Sequence, residues 1–280
     1  RDFAASIDAA LGAADVPAAI RSWAAGDTAP GRAVWSRLAD LGVTALAVPE
    51  KFDGIDAHPV DLVVALERLG RWCVPGPVTE SLAVAPVLLA DDDRVAGLAA
   101  GEVIATVAMP PAVPRAADAD VADIALLATG AGVTDANAGA RRDSVDPSRR
   151  LFDLDPHGPT RPADVGRAYD FGALATAAQL VGAGQAMLDM SVDYAKQRTQ
   201  FGRAIGSYQA IKHKLADVHI ALELARPLVF GAALSAGENS VDTARDVSAA
   251  KAAASDAALL AARTALQTHG AIGYTAEHDL

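Results

Sequence analysis

Five side chains able to bind or react with a ligand crowd one short stretch of this sequence: Arg198, Phe201, Arg203, Lys212 and Lys214. They fall within YAKQRTQFGRAIGSYQAIKHKLADV, from Tyr194 to Val218. A planar guanidinium can grip a phosphate through two hydrogen bonds, and an aromatic ring can stack on a flat heterocycle. Gly202 and Gly206 interrupt the chain here, as glycines do at turns. An apolar-periodic segment from about Phe171 closes at Arg198, and Ile211, Leu215, Val218 and Leu222 open a new helical face. The pattern is a basic turn between two helices. Taken alone, it describes an exposed turn with Phe201 tucked into the core.

Other chemistries are poorly served. Asp170 stands before an apolar helix start and reads as a cap or first-turn charge. Glu277, beside His278 and Asp279, reads as part of a polar loop or helix start. The six histidines form no H-x-x-x-H pair and have no linked cysteine, so no metal site is expected. The lone Cys73 excludes an intrachain disulfide and suits a reducing compartment, the cytoplasm. A formal net charge of −11 argues against nucleic acid or an anionic membrane surface as partner. The sequence shows no signal peptide and no apolar run of membrane-spanning length. Arg1 is not an initiator residue, and both ends read as trimmed.

The elements that must position the turn fall into three expected regions: residues 1–102, 103–162 and 163–280. In the first, Phe3, Ile7 and Leu11 mark one helix, and Val34, Leu38 and Leu41 another that Gly42 ends. Val43 to Pro49 reads as an extended segment. Pro59 begins a helix carrying Leu62, Leu66 and Leu69, and a further helix follows Pro75 and Pro77. From about residue 103 the helical period gives way to β-type runs at Val103–Met109, Val121–Ala128 and Leu151–Leu154, punctuated by Pro and Gly. The last region is Ala-rich, with helices expected over 171–198, 208–235 and 241–269. Gly182 and Gly184 sit mid-helix, which points to close helix packing ahead of a ligand passing over the backbone. The fold class is mainly α with a small β domain.

The run RTQFGRAIGSYQAIKHKLAD resembles the signature of the C-terminal helical domain of the acyl-CoA dehydrogenase family of flavoproteins. QTHGAIGYTAE, from Gln267 to Glu277, is similar to that family's second flavin-contacting segment. WSRLADLGVTALAVPEKFDGI and DLVVALERLGRWCVPGP resemble its N-terminal helical domain. The resemblance implies FAD as cofactor and an acyl-CoA as substrate. It implies that Arg198 contacts the pyrophosphate, Gln200 lies beside the nucleotide, Phe201 packs against the cofactor and Gln209 helps hold the turn. Gln267 and Gly270 would meet the pyrophosphate–adenosine half, and Gly273 would open room for the backbone. Ala271 stands where the family has a second glycine.

Two departures matter. The family's middle β domain is roughly twice as long, and one this short holds only a minimal sheet. The loop and strand that hold the isoalloxazine ring, Thr/Ser-Glu-Pro-x-Ala-Gly-Ser-Asp and Trp-Ile-Thr/Ser, are missing between Ala105 and Pro162. Nor does a carboxylate occupy the family's first base position, near Gly172, and the second lies past Leu280. No catalytic residue is therefore assigned. The implied protein is the small subunit of an α₂β₂ heterotetramer. A larger acyl-CoA dehydrogenase subunit would supply the ring-holding domain and the catalytic Glu, as in actinobacterial enzymes acting on steroid-CoA thioesters. Two alternatives stand beside it: a complete homo-oligomeric enzyme using Asp170 or Glu277 as base, and a non-catalytic scaffold subunit.

Overall fold

The computed structural model describes residues 2–275 and 278–280. Four helices open the chain: α1 (Asp2–Gly12), α2 (Val16–Ala24), α3 (Ala29–Asp40) and α4 (Pro59–Arg71). The Asp15 carboxylate caps α2 by accepting the Ala18 N–H at 3.4 Å, and a proline follows in the first turn. Gly42, at φ 73°, turns the chain out of α3. The segment after it is not extended. Val43–Ala45 and Glu50–Phe52 are 3₁₀ turns, with Val43, Leu46 and Val48 buried. The chain folds back so that Ile55 and Ala57 donate to the carbonyls of Ala45 and Leu46. A π-helical turn, Glu80–Val84, leads into the short α5 (Ala85–Leu88), and α6 (Val95–Ala99) follows.

The β region is a single sheet of five strands: β1 (Ala105–Ala108), β2 (Ala116–Ala117), β3 (Ile124–Thr129), β4 (Gly132–Arg142) and β5 (Leu151–Arg161). Their order is β1-β3-β4-β5-β2, with β1 parallel to β3 and every other pair antiparallel. β4 carries no apolar alternation, so periodicity does not reveal it. Pairing with β3 and β5 supplies the backbone hydrogen bonds that its composition could not announce. Charges stitch β4 to β5 and to the start of α6: Asp135 accepts from Arg161 at 2.8 Å and from Arg94 at 3.1 Å. These bonds hold the Asp135 carboxyl down at about 2. Val107, Leu126 and Val133 form the core with Leu88, Leu89, Leu98 and Ala168.

Near β2 lies a buried charge cluster. Arg150 donates to the Trp23 carbonyl at 2.8 Å and pairs with Asp118 at 3.4 Å and Asp120 at 2.9 Å. Burial nevertheless pushes the Asp118 carboxyl up to about 6. Arg150 divides its attraction between two carboxylates, so the desolvation of Asp118 wins.

Helix α7 (Val165–Gln197) begins six residues before the apolar periodicity suggests. The residue that caps it is Asp164, which accepts the Arg167 N–H at 2.9 Å. Asp170 is therefore neither cap nor first-turn charge. It sits in the second turn. After α7 come the two-residue strands β6 (Thr199–Gln200) and β7 (Arg203–Ala204), then α8 (Gln209–Gly237) and α9 (Thr243–His269).

The chain divides into two compact units, Arg1–Ala65 with Cys73–Ala175, and Leu66–Trp72 with Thr176–Leu280. In the second, a Cβ on Gly182 would stand 1.9 Å from the Glu67 carbonyl oxygen, and one on Gly184 would stand 2.7 Å from the Leu222 side chain. Close helix packing is the reason for both glycines. α8 and α9 pack through small residues, Ala225, Ala232 and Ala236 on one and Ala250, Ala254, Ala257 and Ala261 on the other, all buried.

By length and composition, α7 and α8 are each long and apolar enough to cross a membrane, which corrects the expectation that no such run exists. Alanine is the reason: it raises mean hydropathy without the Leu and Phe content that marks a spanning segment by eye. Half of the most apolar stretch of α7 and a third of that of α8 are buried within the protein.

Candidate functional site

The basic turn is a tight β-hairpin. Thr199 faces Ala204 and Gln200 faces Arg203, leaving Phe201 and Gly202 as the two tip residues. Both have left-handed backbones, φ 53° and 79°, as a two-residue hairpin of the I′ kind requires. A bulky aromatic residue adopts that conformation only at a cost, and such strain collects at functional sites. Phe201 is not tucked into the core. It is 92% exposed. The sequence suggests a buried Phe because aromatic residues bury well, but the tip of a two-residue hairpin has no core within reach.

The cations around the tip separate into two kinds. Arg203 lies over the Tyr208 ring, 4.0 Å from its centroid, and Tyr208 Oη donates to the Gln200 carbonyl at 3.3 Å. That arrangement braces the hairpin. Arg198 and Gln200 are exposed, and among the described residues Arg198 has no ion-pair partner. The Arg198 N–H donates to the Tyr194 carbonyl at 2.8 Å, and its own carbonyl accepts from Ile205 at 2.8 Å, so the backbone beneath its side chain is held from both sides.

The second segment lies at the end of α9. Gln267 is exposed there, and Gly270 leaves the helix at φ 65° with no atom within 4 Å of the place a Cβ would occupy. Such open backbone can be approached closely by a ligand. Gly273 differs: a Cβ there would meet His269 and Leu280 at 3.2 Å, so crowding within the chain accounts for that glycine. His269 is buried, and its ring stacks on Tyr194 with centroids 4.5 Å apart and planes 27° apart. This pair joins the last turn of α7, which leads into the hairpin, to the last turn of α9, which leads into Gly270. An exposed guanidinium, an exposed ring and open glycine backbone form a donor and stacking set that fits a phosphate-bearing aromatic cofactor.

Carboxylates do not join this set. Gly172 lies well inside α7, where a Cβ would stand 2.9 Å from Val84 Cγ2, so a longer side chain there would require Val84 to move. Asp170 is half-buried, and its carboxyl is pushed up by burial and then by the Asp164 charge, against the pull of Arg167. Glu277 lies outside the described residues. Sequence reasoning misses Glu80, on the same π-helical turn as Val84. It is buried, accepts from Arg149 at 3.3 Å, and leaves its other oxygen without a hydrogen-bond partner among the described residues. A lone Glu inside the apolar run VTESLAVAPVLL is the available signal. Among the described residues, no group of three or more His, Cys, Asp or Glu side chains is arranged to hold a metal.

Comparison with known proteins gives a consistent result. The C-terminal domain of acyl-CoA dehydrogenases matches residues 165–280, and the N-terminal domain matches residues 4–91. The acyl-CoA dehydrogenase IpdE2 of Mycobacterium tuberculosis is 34% identical over 273 residues, covering 94% of this chain and 83% of that protein. A variant of the Tcur3481-Tcur3483 steroid ACAD superposes with a TM-score of 0.86 at 22% identity, over 99% of this chain and 88% of that one. The ChsE4-ChsE5 complex from Mycobacterium tuberculosis gives a TM-score of 0.81 at 22% identity, over 99% and 88%. At that identity the two structures speak for the fold: helical N- and C-terminal regions flanking a small sheet. Enzymes of the matched family are FAD-dependent.

Proposed function

The chain belongs to the acyl-CoA dehydrogenase family, and from that premise we propose that it is the small subunit of a heteromeric, FAD-dependent acyl-CoA dehydrogenase. Arg198, Gln200, Phe201, Gln267 and Gly270 form its half of a shared flavin site, with Gly273 supporting the turn. A larger partner holds the isoalloxazine ring and supplies the catalytic carboxylate. One observation carries this reading: the helix ends that carry these residues are joined by the Tyr194–His269 stack, and the residues themselves stay at the surface. A site built that way is half a site.

Bound FAD would supply the hydride acceptor for the β-carbon of the acyl thioester, with the partner's carboxylate as base for the α-proton. Arg198 would bind and orient the pyrophosphate through charge-assisted hydrogen bonds. Phe201, already presented by its hairpin, would cover the flat part of the nucleotide and exclude water from it. The Gly270 backbone would admit close approach. One structural neighbour is a steroid ACAD and another is a two-component complex, which supports a bulky steroid-derived thioester and a heteromeric assembly.

Purification of the chain alone and together with the partner that co-purifies from its native source tests this reading. Alone, the chain should carry little flavin and tend to aggregate; the complex should be yellow. A stoichiometrically flavinylated homotetramer of this chain would overturn it.

The rival with its base in this chain draws on one observation, the raised Asp170 carboxyl. Asp170→Asn and Glu277→Gln should each leave kcat within about threefold of the parent complex. A loss of roughly 10²–10⁴ with full flavin content, typical of a lost general base, would place the base here.

A further inference from the structure

We infer that the Tyr194–His269 ring pair is the positioning element of the flavin half-site, an assignment that rests on the proposed half-site itself. Neither ring belongs to the set that would touch the cofactor. His269 is only 5% exposed, and Tyr194 is half-buried. Each is instead coupled by short backbone links to residues that would. The Tyr194 carbonyl accepts the Arg198 N–H at 2.8 Å, so any shift of the tyrosine moves the base of the hairpin that carries Gln200 and Phe201. His269 lies between Gln267 and Gly270 in sequence, at the last turn of α9.

The imidazole is held in one tautomer and one orientation. Its Nδ1 lies 2.9 Å from the Ala265 carbonyl oxygen, which can only accept, so Nδ1 carries the proton. His278 packs edge-on against the same ring, with centroids 4.9 Å apart. The Leu280 N–H donates to His278 Nδ1 at 3.1 Å, which fixes that ring in turn. A stack between two rings of defined orientation transmits position, whereas a pair of aliphatic side chains would slide. The two cofactor-facing segments are separated by α8 and most of α9, yet the ring pair joins them directly. Each member is a positioning residue.

The test measures FAD affinity by titration of the deflavinated complex, with the unfolding midpoint recorded for each variant. Tyr194→Phe and His269→Phe keep a ring and should bind FAD within about twofold of the parent. Tyr194→Leu removes the ring; His269→Asn removes it while retaining a donor in the place of Nδ1. Each of these should weaken FAD binding roughly three- to tenfold, the range expected for one aromatic pair. Recovery by Phe and not by Leu separates positioning by a stack from generic packing. Leu and Asn variants that fold and bind FAD as tightly as the parent would overturn the inference. So would Tyr194→Phe binding as poorly as Tyr194→Leu. If Arg198→Ala weakens FAD binding while the ring variants do not, only the positioning role fails. If Arg198→Ala has no effect, the half-site reading fails and takes this inference with it.

Discussion

The two compact units of this chain satisfy their side chains in opposite ways. In the first, Trp23, Leu38, Leu89, Ile104 and Leu126 are fully buried, and the charges at the sheet margin, Arg94, Asp135 and Arg161, close on one another. In the second, Phe201, Ile220, Leu224, Leu228, Leu259 and Tyr274 stay exposed, although that unit supplies the helices of the candidate site. Its α8–α9 contact is rich in alanine, which lets the two helices approach closely, while Leu66, Leu69, Val218 and Leu222 are buried beside it. Among the described residues the first unit leaves Ile55, Val113, Val145 and Tyr169 as its exposed large apolar residues, fewer than the second. The exposed apolar residues of the second unit are the surface to which the proposed partner would bind.

The largest test of this contrast is made at Gly182, where close packing inside the second unit is tightest. Gly182→Ala would drive a Cβ to within 1.9 Å of the Glu67 carbonyl oxygen, and backbone cannot step aside as a side chain can. The unfolding free energy should fall by about 3 kcal/mol, the upper part of the range for overpacking. A neutral substitution, measured by denaturant titration, would show that the unit is loosely packed throughout.

The first unit is probed by pH. The Asp118 carboxyl is pushed up to about 6 by burial, so the folded state holds its proton more tightly than the unfolded chain. Its contribution is favourable below about pH 4 and is lost as pH rises through about 6. At roughly 1.4 kcal/mol for each tenfold difference in proton affinity, the loss is on the order of 2–3 kcal/mol. Asp118→Asn should flatten that slope of unfolding free energy against pH. Parallel curves for parent and variant would show that Asp118 binds its proton equally well folded and unfolded.

Arg198→Ala should weaken FAD binding to the complex about ten- to a hundredfold, since a charge-assisted hydrogen bond to phosphate contributes about 1.5–3 kcal/mol. The unfolding midpoint should not move, because the side chain is exposed and unpaired among the described residues. Unchanged flavin occupancy after dialysis would mean that the turn points elsewhere. The smallest effect on stability belongs to Leu224→Asp, on the exposed face of α8. The isolated chain should change by no more than about 0.5 kcal/mol, as surface substitutions do, while recovery of the partner in co-purification drops. A clear loss of stability in the isolated chain would mean that Leu224 is already packed against its own unit.

The family is legible in the amino-acid sequence, through four runs at its two ends, and with it the helical class and the turn around Arg198 and Phe201. Local signals suffice for such features: Gly202 must punctuate, Pro59 must start a helix, and the periodicity of Leu62, Leu66 and Leu69 declares a buried face. Tertiary structure alone decided the rest. Strand β4 exists because its neighbours offer backbone partners, which its polar composition could not show. Phe201 is exposed because a two-residue hairpin holds it away from any core. Asp164 rather than Asp170 caps α7, since the helix starts before its apolar period does. The stack of Tyr194 on His269, at the helix ends that carry the candidate site, joins residues far apart in the chain. No local pattern encodes a contact of that kind, because it depends on where two helices end and not on what either one contains.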